Sequence, residues 1–223
     1  MIKKHIQILC LLAGIFAFQA IQAQSLFEQM QELRQSDHFE ETRQELVETI
    51  LSSEVSELSV NLILSAGYLQ LAETMDALWE IGNDRAAQRN IRVAAFKALA
   101  RMGDEDALWF LISQVERIGM NDDVVAILLP DLIFTQQRPA FDLIIDALFD
   151  DTPRCRSSNP NNEVSILCGF RIMEMLAPLI KDFPLEVHAS GDIKTDNYEE
   201  ALQILRRWFE RHRTDYVILV DTF

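Results

Sequence analysis

Between Ile91 and Ile112 the chain reads IRVAAFKALARMGDEDALWFLI: an alanine-rich helix, a Gly-Asp break, then a second apolar helix. The tetrad Asp106-Ala107-Leu108-Trp109 within it repeats Asp76-Ala77-Leu78-Trp79, thirty residues upstream. Recurrence at this interval constrains the fold more than any other feature. A single helical hairpin cannot bury its own apolar faces and must stack on a neighbour of the same kind. In the alanine-rich helix, Ile91, Ala95, Leu99 and Met102 form one stripe, and Ala94 and Ala98 allow a neighbouring helix to come close.

Helical spacing continues on both sides of this stretch. It predicts the pairs 39–51 with 55–69, 75–81 with 88–102, 107–118 with 122–134 and 140–149 with 163–180, closed by a capping helix over 198–212. Asp37 with Glu40, and Asp196 with Glu199, have the spacing of capping boxes. Asn121 is placed to cap 122–134, and Asp104-Glu105-Asp106 puts negative charge at the positive end of 107–118. Pro130 must kink or break its helix. Residues 216–220 (YVILV) are apolar and β-branched, suited either to a closing strand-like segment or to a flap over the last helix.

The stretch IRVAAFKALARMGD followed by DEDALWFLI resembles a HEAT repeat of the short bacterial kind, with the likeness extending over Met75 to Val115. The resemblance implies an all-α fold: a right-handed α-solenoid of about four hairpins with a C-terminal cap, first helices on the convex side and second helices on the concave side. It implies a binding surface more often than an enzyme. DNA glycosylases and bilin lyases of HEAT-like architecture fit poorly, because Glu54, Glu57, Asp122, Asp123, Asp131, Glu163 and Glu174 make the expected concave side acidic.

The N-terminus has the form of an export signal. Lys3 and Lys4 precede an almost wholly apolar run, Ile6 to Phe18, and Ala20-Ile21-Gln22-Ala23 offers small residues for cleavage before Gln24. The run is shorter than the roughly 20 residues a membrane span needs. The expected organisation is therefore a signal over 1–23 and a solenoid domain over 24–223, with a cysteine loop at 155–168 and a cap at 196–223. The expected location is periplasmic or secreted, with no stable membrane insertion after cleavage.

The net charge is −15, from 20 basic and 35 acidic residues. Such a surface repels phosphate backbones, which disfavours nucleic acid as a partner. Two of the three cysteines, Cys155 and Cys168, lie beyond the signal and bracket a polar loop. In an oxidising compartment they form either a disulfide or two separate buried thiols.

No motif points to a cofactor, a metal or a catalytic set. The acidic groups lack the alternating pattern and glycine of a calcium loop, and His38, His188 and His212 stand in no zinc spacing. Trp79 and Trp109 hold equivalent repeat positions, as exposed partner anchors or as wedges between adjacent helices. Arg206, Arg207 and Arg211, interleaved with Trp208 and Phe209, are either a grip for an anionic partner or the solvated end of a terminal helix. The leading expectation is a non-catalytic protein-binding or scaffolding module. The alternative is a lyase or hydrolase with its site in the concave groove under segment 183–194.

Overall fold

The computed structural model describes residues 26–157 and 164–219. The expected signal over 1–23 and Glu163 lie outside these residues. The described chain is predominantly helical, with ten α-helices and one two-stranded antiparallel sheet. In chain order they are α1 (Leu26–Arg34), α2 (Phe39–Ser52), α3 (Val60–Leu69), α4 (Met75–Asn83), α5 (Arg89–Arg101), α6 (Glu105–Ile118), α7 (Leu129–Thr135) and α8 (Arg138–Ala147). The strands β1 (Pro153–Arg156) and β2 (Ser165–Leu167) follow, then α9 (Cys168–Leu176) and α10 (Tyr198–His212). No helix among the described residues is long and apolar enough to cross a membrane.

The alanine-rich segment becomes α5, the most enclosed helix, which touches α3, α4, α6 and α7. Small residues make this possible. Ala94, Ala95, Ala98 and Ala100 are all buried, and an added Cβ on Gly67 of α3 would stand 2.9 Å from the Cα of Ala98. The helices therefore meet backbone to backbone at this crossing, within the distance that only glycine against alanine allows. Leu99 of the same helix is fully buried, as are Ile63, Leu78 and Ile112 on the helices around it.

Helix boundaries depart from expectation where local hydrogen bonding competes. The segment expected as a helix over 55–69 splits into a 3-10 turn, Val55–Glu57, and α3, because Ser59 Oγ accepts the Leu62 N–H (3.2 Å) and restarts the helix there. The Asp37–Glu40 capping box does not form. His38 holds the N-cap position without a side-chain bond, and the Ser36 carbonyl takes the Phe39 amide instead. At α10 the cap falls one residue later than expected, on Asn197, whose Oδ1 accepts the Glu200 N–H (3.1 Å). Asn121 caps as expected, accepting the Val124 N–H at 3.0 Å.

Pro130 is accommodated by a π-helical turn, Val124–Leu128, in which the Leu129 N–H reaches back to the Val124 carbonyl. The wider turn relieves the contact that a proline ring makes with the carbonyl four residues earlier. The helix expected over 163–180 is shorter, since β2 occupies its start and α9 begins only at Cys168. β1 and β2 form a hairpin joined by the Cys155–Cys168 disulfide, with a Cα–Cα distance of 5.0 Å. Asp122 ties the hairpin to the start of the π-turn: its carboxylate accepts the Arg156 N–H (2.9 Å) and pairs with Arg171 (2.8 Å).

The tail takes the strand-like option. Ile218 bridges Ile180, the Lys181 N–H donates to the Val217 carbonyl (2.9 Å), and the Leu219 N–H donates to the Leu179 carbonyl (2.7 Å). Arg138 of α8 lies 3.6 Å over the Tyr216 ring and donates to the carbonyls of Tyr216 and Arg213, while Tyr216 Oη donates to Asp142 (2.9 Å). The last helix and its tail are thereby locked onto α8.

Two outcomes test this packing. Gly67→Val should lower the unfolding free energy by about 1–3 kcal/mol through overpacking, despite the better helix propensity of valine; an unchanged urea midpoint would mean that α3 and α5 do not touch. Replacing Cys155 and Cys168 together with serine should cost about 3 kcal/mol, the chain-entropy value for a loop of this size. Equal urea midpoints for this variant and the oxidised protein would contradict the bridge.

Candidate functional site

Three successive second helices end in the same way. A positive φ follows each within two residues: Gln70 directly after α3 (56°), Gly103 one residue beyond Met102 after α5 (92°) and Gln136 directly after α7 (55°), each 33 residues beyond the last. Glutamine pays a steric penalty in this left-handed region that glycine does not. At Gln70 a compensation is visible, since its Nε2 donates to the carbonyls of Gly67 (3.0 Å) and Arg101 (3.2 Å) and so links one hairpin to the next.

The same interval aligns Tyr68, Arg101 and Phe134, two residues before each stop. Arg101, only 6% exposed, has its guanidinium 4.3 Å from the centre of the Tyr68 ring and 5.0 Å from that of Phe134, and donates to the Phe134 carbonyl at 2.6 Å. The two rings meet edge to face at 5.0 Å. One turn earlier, Lys97 pairs with Asp131 and lies 5.2 Å over Phe134. Arg34, the last residue of α1, donates to the Tyr68 carbonyl. A stack of cations and π-faces thus joins the ends of α1, α3, α5 and α7. Such contacts gain strength when shielded from water. Sequence reading missed this cluster, because it becomes visible only at a spacing of 33, whereas the repeated tetrads stand 30 apart.

The two tryptophans do not form an equivalent pair. Trp79 is half-buried, its Nε1 donates to Asp104 Oδ2 (2.9 Å) and its ring meets Phe96 edge to face at 5.5 Å. Asp104 also caps α6 by accepting the Ala107 N–H, so Trp79 is a wedge between adjacent hairpins and not an exposed anchor. Trp109 is 55% exposed. The next first helix, α8, is preceded by Gln137, with no side-chain cap bond, in place of an aspartate.

The arginines divide as well. Arg206 is only 7% exposed; its Nε donates to the Leu148 carbonyl (2.6 Å) and its Nη1 pairs with Asp151 (2.8 Å). It closes the C-terminal end of α8 and is not available to a partner, contrary to its candidacy. Its Nη2 is buried with no acceptor among the described residues. Arg207 and Arg211 are exposed, and Arg211 Nε donates to the Arg207 carbonyl (3.1 Å). Trp208 packs against His212, with ring centres 4.6 Å apart.

Several acids expected on the concave side are engaged: Asp122 with Arg156 and Arg171, Asp131 with Lys97, and Glu174 with the Tyr198 hydroxyl (2.6 Å). Among the described residues no group of three His, Cys, Asp or Glu side chains is arranged to hold a metal ion. A recess of about 550 Å³ runs between the 3-10 turn before α3 and the start of α5, lined by Glu54, Ser56, Leu58, Asp84, Ala87 and Ile91 among others. A second, of about 460 Å³, lies beside the start of α10, lined by Leu167, Asn197, Glu199 and Gln203 among others. Segment 183–194 lines neither. It folds back on itself through a Val187–Ile193 bridge and a Lys194–Glu186 ion pair of 2.9 Å.

Comparison with known protein families, characterised proteins and solved structures finds no match to this chain.

The Tyr198 phenol is pushed up to about 12, mainly because its proton is held by the Glu174 carboxylate. A raised phenol pKa stabilises the fold fully below the unfolded value of about 10, and the contribution fades as pH rises through the folded value. Tyr198→Phe should therefore weaken the loss of stability between pH 10 and 12, leaving the part that comes from Tyr216, also shifted upward by burial. Denaturant midpoints across that window check this; wild type and variant falling in parallel would mean that the Glu174 bond does not form.

Proposed function

We propose that this chain is an exported right-handed α-solenoid of HEAT-like hairpins, serving as a non-catalytic binding or scaffolding module for a protein partner. The observation that carries the reading is the alignment of Tyr68, Arg101 and Phe134 in one stack at a 33-residue interval, with a left-handed stop two residues past each. It supports repetition of one structural unit along the chain. The contacts of α1 with α3, α3 with α5, and α5 with α7 fit consecutive second helices laid side by side.

A repeat surface offers extended contact without a deep pocket. A buried disulfide and the N-terminal signal pattern both accord with an oxidising, exported location. The acidic composition favours a protein partner over nucleic acid.

Affinity capture from the exported fraction tests the reading, with the intact protein, Trp109→Ala and Ile127→Asp as parallel baits. Trp109 marks the first-helix side, while Ile127 is 60% exposed on the π-turn leading into a second helix. Wild type should retain a partner that one variant loses by about tenfold or more, the size expected of an interface anchor. Identical recoveries from all three baits and from an unrelated acidic protein would sink the proposal.

A further inference from the structure

We infer that the exposed face of α6 is a docking surface for a partner segment bearing lysine or arginine, with Trp109 as its anchor. The inference rests on the binding-module reading and assigns its partner a chemistry. Among the described residues Trp109 is the large aromatic side chain left most open to solvent. Its exposure is not a demand of the repeat, since Trp79 at the equivalent place is held by Asp104 and Phe96.

The surroundings select the partner's charge. In a helix, residues four before, four after and seven after a given position share its face. For Trp109 these are Glu105, Ser113 and Glu116, all exposed, with Asp106 on the flank. Among the described residues none of the three carboxylates is in an ion pair. The nearest cation on the helix, Arg117, is turned onto Gln114 at 2.5 Å. An indole offers the best π-face for an ammonium or guanidinium, and carboxylates along the same line add attraction for a basic chain. The net charge of −15 strengthens that attraction at long range and discourages a second copy or an acidic segment.

The test titrates the full-length protein with a hexaarginine peptide, following tryptophan fluorescence and, separately, calorimetric affinity at fixed ionic strength. Trp109→Ala should weaken binding roughly two- to five-fold, the range of an exposed cation–π contact. Glu105→Gln/Glu116→Gln should weaken it further and flatten its salt dependence. Asp76→Asn/Glu80→Gln removes the same charge from α4 and should change affinity less.

If the α4 and α6 charge variants lose affinity equally and Trp109→Ala loses none, hexaarginine is reading only bulk charge and the inference falls, while a partner captured in the preceding experiment would still stand. Tighter binding of hexaglutamate than of hexaarginine would overturn it too. So would a dimer in sedimentation that Trp109→Ala abolishes, since the occupant would then be a second copy.

Discussion

The approach of Gly67 to Ala98 sets the positions of the central helices, α3 to α7. Two helices whose backbones meet with no side chain between them have few alternative registers, because any residue larger than glycine or alanine at the crossing forces them apart. α5 is fixed against α3 in this way, and α4, α6 and α7 are then arranged around α5. Its run of buried alanines gives little hydrophobic area per residue. What it offers is proximity, which accompanies the full burial of its own Leu99 and of Ile63, Leu78 and Ile112 on the helices around it.

The cation–aromatic stack locks the far end of the same helices. A guanidinium as enclosed as that of Arg101 would be costly if its donors found nothing, but it meets the Phe134 carbonyl and two ring faces. Gln70 adds a link from the stop of one helix to the carbonyl of Arg101. Small residues at mid-helix and polar bonds at the helix ends are thus two independent constraints on one set of crossings. Their agreement favours a single arrangement over a slippery bundle.

Much of this was legible in the chain. The predominantly helical class, the close approach at Ala98, the negative charge heading 107–118, the cap at Asn121 and the candidacy of Cys155 and Cys168 for a bridge all follow from spacing and residue chemistry. Other features, besides the cation–aromatic stack, were not. The β-hairpin carrying the disulfide is only four residues against three, too short for a period-2 pattern to stand out. The caps near Asp37 and Asp196 were misplaced because a backbone carbonyl or a neighbouring asparagine satisfied the amides instead. The fate of Arg206 depended on contacts with Leu148 and Asp151, more than fifty residues away, which helical periodicity cannot foresee.

The mismatch between the two repeat intervals has a physical source. Helix lengths vary along the chain without a trend: α4 spans nine residues and α6 fourteen, while α3 spans ten, α5 thirteen and α7 seven. The tetrads head α4 and α6, which begin 30 residues apart, whereas the left-handed stops after α3, α5 and α7 stand 33 apart. What stays in register is the left-handed stop, because there the chain must reverse and the stack of Tyr68, Arg101 and Phe134 must align. Helix starts do not keep that interval, since α3, α5 and α7 begin at Val60, Arg89 and Leu129. The two tryptophans sit near starts, so their environments diverge although their tetrads agree: Trp79 finds an aspartate one hairpin on, and Trp109 finds Gln137 heading the next first helix. Local sequence identity therefore placed both residues on equivalent helices, while the residue heading the next first helix, aspartate at 104 and glutamine at 137, differs between the two surroundings.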